Sequence, residues 1–188
     1  LSNDSALAYT PGAALPGGVV SAGSGPFLGF GFNSYSPDSG VLLTSIAGDV
    51  TVAANTLDSL TLPATLAIDA VSGSIQVNSL LNLIPSATGS LSLAASGSIS
   101  TQGLNSSGNV AIYAINMLDG TSAPTNPLGT PAPAALSSAV HADDDVPVII
   151  YAGQDITGTF TLIKQAKVEA GRDIVNTNFT GQNNNVDD

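Results

Sequence analysis

Cysteine and tryptophan are absent from this 188-residue sequence, and methionine occurs once. Without cysteine there are neither disulfides nor thiolate metal sites, so a disulfide-stapled secreted scaffold is excluded, although an exported bacterial protein is not. Basic residues are almost as scarce. Lys164, Lys167 and Arg172 stand against 14 acidic residues, for a net charge of -11. That balance removes the electrostatic footprint of a nucleic-acid binder and disfavours anionic membrane surfaces. Charged residues make up 9% of the chain, against about 25% in an ordinary soluble domain, so Ser, Thr, Asn and Gly must supply most of the polar surface. No run of 18 apolar residues occurs, which leaves no candidate for a membrane-spanning helix. The chain opens at Leu1 with neither a basic nor an apolar leader, and reads as a mature or excised piece of something longer.

What is present is 43% hydrophobic residues with 20 glycines and 11 prolines. This composition fits a folded domain with one sizeable core. The hydrophobic residues are arranged as a repeat. The stretch KVEAGRDIV, residues 167–175, recurs in weaker form at 43–50, 66–75, 91–99, 110–114 and 148–156. Anchoring each copy on its alanine gives Ala47, Ala70, Ala94, Ala114, Ala152 and Ala170, spaced by about 20 residues except for the step from Ala114 to Ala152. Short alternating apolar runs at such a period describe a unit that cannot bury its apolar face alone and must stack on its neighbours. The expected fold class is all-β: a parallel β-helix or solenoid of six to seven coils, each of 18–24 residues.

The two fullest units, 48–70 and 73–95, align so that Val50, Val52, Leu60, Leu62, Leu66 and Ile68 match Ile75, Val77, Leu81, Leu83, Leu91 and Leu93. Strand alternation sends these inward, with Thr51, Thr61 and Ala67 outward. Gly48, Gly73, Gly97, Gly153 and Gly171 are expected as structural turn glycines, taking positive φ at a corner behind the small alanines. Asp155 and Asp173 follow that corner and are expected to accept turn N–H groups. Asn55, Asn78 and Asn176 are candidates for a side-chain ladder along the stack.

The organisation expected along the chain is one domain in four parts. Residues 1–40 form an irregular N-terminal coil, with Phe27, Phe30, Phe32 and Tyr35 as core or inter-coil contacts. Residues 41–118 form β-helix coils, 119–146 an inserted Pro/Ala-rich loop with a short helix at 134–142, and 147–188 further coils ending in a polar tail.

Residues that carry chemistry are few. His141 is the single histidine, so any triad or histidine metal site must pass through it; it lies beside Asp143, Asp144 and Asp145 and is expected in a solvated loop. No G-x-S-x-G elbow accompanies it. Asp143, Asp144 and Asp145 are weak metal candidates that could gather calcium through hard oxygen ligands, but their spacing is not that of an EF-hand. No catalytic or cofactor-binding residues are assigned. A polysaccharide-active β-helix enzyme would need a working carboxylate pair and more basic and aromatic residues than these to grip a glycan, so the chain is expected not to be an enzyme.

The motif Ala170-Gly171-Arg172-Asp173-Ile174, with its second copy Ala152-Gly153-Gln154-Asp155-Ile156, resembles the repeats of filamentous haemagglutinin-like exoproteins of Gram-negative bacteria. The resemblance covers roughly residues 41–178, and the earlier units depart from it by carrying Ser-Gly-Ser-Ile. It implies a right-handed helix, export by two-partner secretion, a secreted or cell-surface location, and a rigid adhesin stalk acting in cell adhesion or biofilm. The partners it implies are host or bacterial cell surfaces and exopolysaccharide, besides neighbouring coils of a longer chain. The 119–146 insertion is then the expected contact region. A structural subunit of an extracellular filament or matrix fibre is the first alternative, because both ends of a β-stack are unpaired edges, and a polysaccharide-active β-helix enzyme is the second.

Overall fold

The computed structural model describes residues 38–53, 59–104, 107–118, 141 and 144–181. Among these there are fifteen strands and no helix. In chain order they are β1 (Gly40–Ser45), β2 (Val50–Val52), β3 (Ser59–Leu62), β4 (Thr65–Ala70), β5 (Ile75–Val77), β6 (Leu80–Leu83), β7 (Leu91–Ala95), β8 (Ile99–Ser100), β9 (Gln102–Leu104), β10 (Val110–Ile112), β11 (Ala114–Met117), β12 (Val148–Ala152), β13 (Ile156–Leu162), β14 (Ala166–Ala170) and β15 (Ile174–Gly181).

The described residues are all-β and their strands are mostly parallel. One sheet stacks β1, β4, β7, β12 and β14; a second, strongly curled sheet runs β2, β5, β8, β13, β11, β6, β3, with β15 added on β13. The curl arises because β13 pairs with β8 at its start and with β11 at its end. Strands distant in sequence therefore form five successive levels, each beginning with a strand of the first sheet. Gly40 pairs with Thr65 and Leu66 with Leu91, each 25 positions on, whereas Val148 pairs with Ala166 after 18.

The registers turn sequence alternation into continuous columns. In the first sheet one column runs Leu43, Ile68, Leu93, Ile150, Val168 and another runs Ser45, Ala70, Ala95, Ala152, Ala170. In the second, Val50, Ile75, Ile99, Ile156 and Ile174 form one column, and Leu60, Leu81, Ile115, Phe160 and Phe179 another. All six residue matches expected between the two fullest units are register partners. The middle three levels bury these side chains almost completely, while those of the first level are only partly buried. With period-two alternation every second residue reaches the interior, so the core is mainly branched aliphatics and alanine, with Phe160 its one fully buried aromatic among the described residues.

Two sequence expectations need correction. The copy placed at 110–114 is not a repeat unit. Its first three residues are β10, antiparallel to β9, and Ala114 begins β11, in the column of Leu81 rather than that of the anchor alanines. The anchor column also uses Ser45 and Ala95, not Ala47 and Ala94; a slip of one residue exchanges inside for outside, and it is Ala95 that is buried. Five levels therefore stand among the described residues, where six to seven coils were expected. The third and fourth are separated by 57 positions, Ser92 to Ile149, a span that holds both the β9–β10 hairpin and the insertion.

The glycine corner likewise differs from expectation. Of the five turn glycines only Gly48 has positive φ, at 102°. The others answer to close stacking. A Cβ on Gly153 would stand 2.2 Å from the Ser96 carbonyl oxygen, and one on Gly171 would stand 2.2 Å from that of Gly153. The corner holds four residues in the first two levels and three from Ser96 onward. Gly97 consequently packs over Gly73, while Gly153 packs over Ser96.

Candidate functional site

Three corners separate the strands of a level, and each carries different side chains. At the glycine corner a polar ladder climbs the stack. The Ser74 N–H donates to Asp49 Oδ1 at 2.8 Å, the Ser98 N–H to Ser74 Oγ at 3.1 Å, and the Asp155 N–H to Ser98 Oγ at 3.3 Å. The Asp155 carboxylate in turn accepts the Asp173 N–H. Asp155 does accept a corner N–H, as its position suggested, but from the next level rather than from its own turn. Arg172, hydrogen-bonded through Nε and Nη2 to both Asp155 oxygens, holds that carboxyl below its usual range, with help from the Asp173 N–H; the same contact raises Arg172 above its own usual value.

The second corner carries the hairpin. Where β5 and β6 are joined by Asn78 and Ser79 alone, β8 and β11 are joined by residues 101–113, which include β9 and β10. Thr101 closes the base. Its hydroxyl donates to the Tyr113 carbonyl at 2.7 Å and accepts the Thr159 N–H at 3.1 Å, and its own carbonyl accepts the Tyr113 N–H. Register pairs on the hairpin put Leu104 opposite Val110 and Ile112 opposite Gln102, all on one face. Leu104, Val110 and Ile112 are 62%, 72% and 56% exposed. Beside this face lies an open groove of about 350 Å³ lined by Gln76, Asn78, Gln102, Gly103, Leu104 and Val110. Gln76 Nε2 spans it, donating to Asn78 Oδ1 and to the Gln102 carbonyl. The groove is uncharged: amides on one wall, aliphatic side chains on the other. The sequence contained its signal, a five-residue alternating run at 110–114 with no matching glycine corner, but the run read as another repeat.

The third corner gathers His141 and Asp144, from the C-terminal end of the 119–146 stretch, with Lys164. His141 is 3% exposed and Lys164 5% exposed, so the expected solvated loop is in fact a buried polar tie. Lys164 Nζ donates to Asp144 Oδ2 at 2.7 Å and to the Gly89 carbonyl at 2.9 Å, and His141 Nδ1 lies 3.0 Å from the same Asp144 oxygen. Asp144 Oδ1 accepts the Val146 N–H. Burial pushes the Asp144 carboxyl up, but hydrogen bonds from Lys164, His141 and Val146, with the Lys164 charge, outweigh it and hold the carboxyl below its usual value. Both Asp144 oxygens are thus committed to protein donors. Asp145 is exposed, and Asp143 lies outside the described residues. No group of three or more metal-ligating side chains occurs among the described residues.

Asn116 Nδ2 donates to Asn82 Oδ1 at 3.0 Å, so an asparagine step exists, at positions other than those expected. Asn78 bonds Gln76 instead, Asn176 takes positive φ of 50° at a bulge, and Asn55 lies outside the described residues. So do Phe27, Phe30, Phe32 and Tyr35 with residues 1–37 of the expected N-terminal coil, residues 119–140, 142 and 143 of the 119–146 insertion with nearly all of its expected helix at 134–142, and the tail at 182–188. Comparison with protein-family models, with curated proteins and with solved structures finds no match to this chain.

Proposed function

We propose that the five levels are coils of a right-handed parallel β-helix. On this reading the chain is a rigid, non-enzymatic stalk segment of a secreted bacterial surface adhesin of the filamentous haemagglutinin-like kind. The observation that carries the reading is the unbroken continuity of the columns, Leu43 to Val168 and Val50 to Ile174, backed at the glycine corner by one polar bond per level. Such a stack is stiff along its axis and leaves its outer faces free to vary. The sequence interrupts the repeat twice, at the hairpin 102–112 and at the stretch 119–146, and per-repeat insertions on a solenoid commonly form its binding face. The low charge, the absence of cysteine and the two Ala-Gly-x-Asp-Ile corners accord with the same reading.

The test is binding of the purified chain to bacterial and host cells and to a panel of exopolysaccharides, beside two variants. One lacks residues 120–139, stopping short of His141 so that the Asp144–Lys164 tie survives; the other carries Leu104→Ser and Val110→Ser. Binding lost in either variant locates the contact surface. Absence of binding by the parent chain overturns the adhesin reading for this segment.

A further inference from the structure

The two ends of the stack are not alike, and the difference has a direction. In every step of the corner ladder the lower level supplies the acceptor side chain and the upper level supplies the N–H. Among the described residues the uppermost acceptor, the Asp173 carboxylate, receives no N–H from above; its nearest cation is Arg172 Nε at 4.0 Å. The lowermost donor, the Asp49 N–H, has no acceptor from below among the described residues. The apolar columns reach the top unchanged in kind. Ile174 ends a Val/Ile column, and Phe179 stacks on Phe160 at 5.3 Å, yet they are 48% and 39% exposed. The first level offers the matching members: Val41, Leu43, Val50, Val52, Leu60 and Leu62, partly buried against the level above.

Charge permits the same pairing. The top level balances Lys167 and Arg172 against Glu169 and Asp173, whereas the bottom level carries Asp38 and Asp49, and no basic residue precedes Lys164 anywhere in the sequence. An acidic first level placed on this top level meets no net charge, since Lys167 is paired with Glu169 and Arg172 with Asp155. A top level on another top level brings like ladder acceptors together and leaves their donors unsupplied.

We propose that the top level, β14 and β15, docks the first level of a second copy of this chain, head to tail, with the Asp173 carboxylate accepting the Asp49 N–H of the incoming copy. The pairing adds one more level in the existing register. Because the interface is heterologous it does not close on itself, and association continues into a filament. This inference stands on the pairing registers and the ladder and not on the adhesin reading, which would give the two ends to neighbouring coils of a longer chain.

Sedimentation velocity on the full 188-residue chain across a wide concentration series tests it, with negative-stain imaging of the most concentrated sample. Average mass is expected to rise without a limiting size. A monomer at every concentration, or growth that stops at a dimer, overturns the proposal. Two blocking variants sharpen the result: Ile174→Lys at the top and Leu43→Lys at the bottom. Each alone is expected to stay monomeric, and an equal mixture to give a heterodimer that grows no further, since one competent top and one competent bottom remain. An unpaired mixture overturns the proposal provided far-UV circular dichroism shows both variants folded. Asp173→Ala, at an exposed side chain, is expected to keep the fold and weaken parent-chain association by about tenfold; unchanged association removes the ladder from the interface. Loss of the β signal in the parent chain would instead fail the stacked reading itself.

Discussion

The tightest constraints on this molecule sit at single residues where one level touches the next. Gly153 and Gly171 face carbonyl oxygens so closely that a methyl group forces the levels apart. Gly153→Ala and Gly171→Ala should each cost about 3 kcal/mol of stability in urea titration. Gly48 has open space around its Cα and needs glycine for its φ alone, so Gly48→Ala should cost about 1 kcal/mol. The Ser79 hydroxyl is buried and has no hydrogen-bond partner among the described residues; Ser79→Ala should leave stability unchanged or raise it by about 1 kcal/mol. At the third corner, Lys164→Met strands the Asp144 carboxylate among buried groups and should cost about 3 kcal/mol. The pH dependence of that tie has a definite sign. The folded-state pKa of Asp144 lies below its usual value of 3.8, so the stability it contributes is complete above that value and is lost as pH falls through the folded-state pKa. In Lys164→Met, acid unfolding should lose that component, which midpoints measured from neutral pH down to pH 2 will show.

Among elements, β13 does the most to join the molecule. It is the strand that pairs with β8 at one end, β11 at the other and β15 along its length. Phe160 at its centre is fully buried and stacks on Phe179, so Phe160→Ala should cost about 4 kcal/mol and loosen β15 together with β13. Hydrogen exchange should show protection falling across β13 and β15 in concert. The β9–β10 hairpin is the opposite kind of element. Its aliphatic face is largely exposed, so Leu104→Ser with Val110→Ser should move the unfolding midpoint by no more than about 0.5 kcal/mol equivalent while removing an apolar patch. The two strands have similar alternating sequences and different consequences, because partnership, not pattern, decides where alternate residues go.

For the whole molecule the decisive distinction lies between what repetition carries and what contact carries. Alternation at period two and a repeat near 20 residues are properties of the chain alone. They determined that it is built of short strands, that Leu66, Ile68, Leu91 and Leu93 point inward, and that the units at 48 and 73 stack in register, since burying one apolar face per unit leaves few other arrangements. Which run pairs in parallel and which folds back as a hairpin was decided only in three dimensions, for the run at 110–114 alternates equally well in either role. The one-residue shift from Ala94 to Ala95, and the shortening of the corner after Gly73, also lie beyond sequence pattern, because backbone hydrogen bonds between levels set them. The burial of His141 and Lys164 is the clearest case. Asp144 meets Lys164 across 20 positions and Lys164 meets Gly89 across 75, and a charge that reads as solvated in the sequence becomes a buried tie only when stacking brings three levels to one corner.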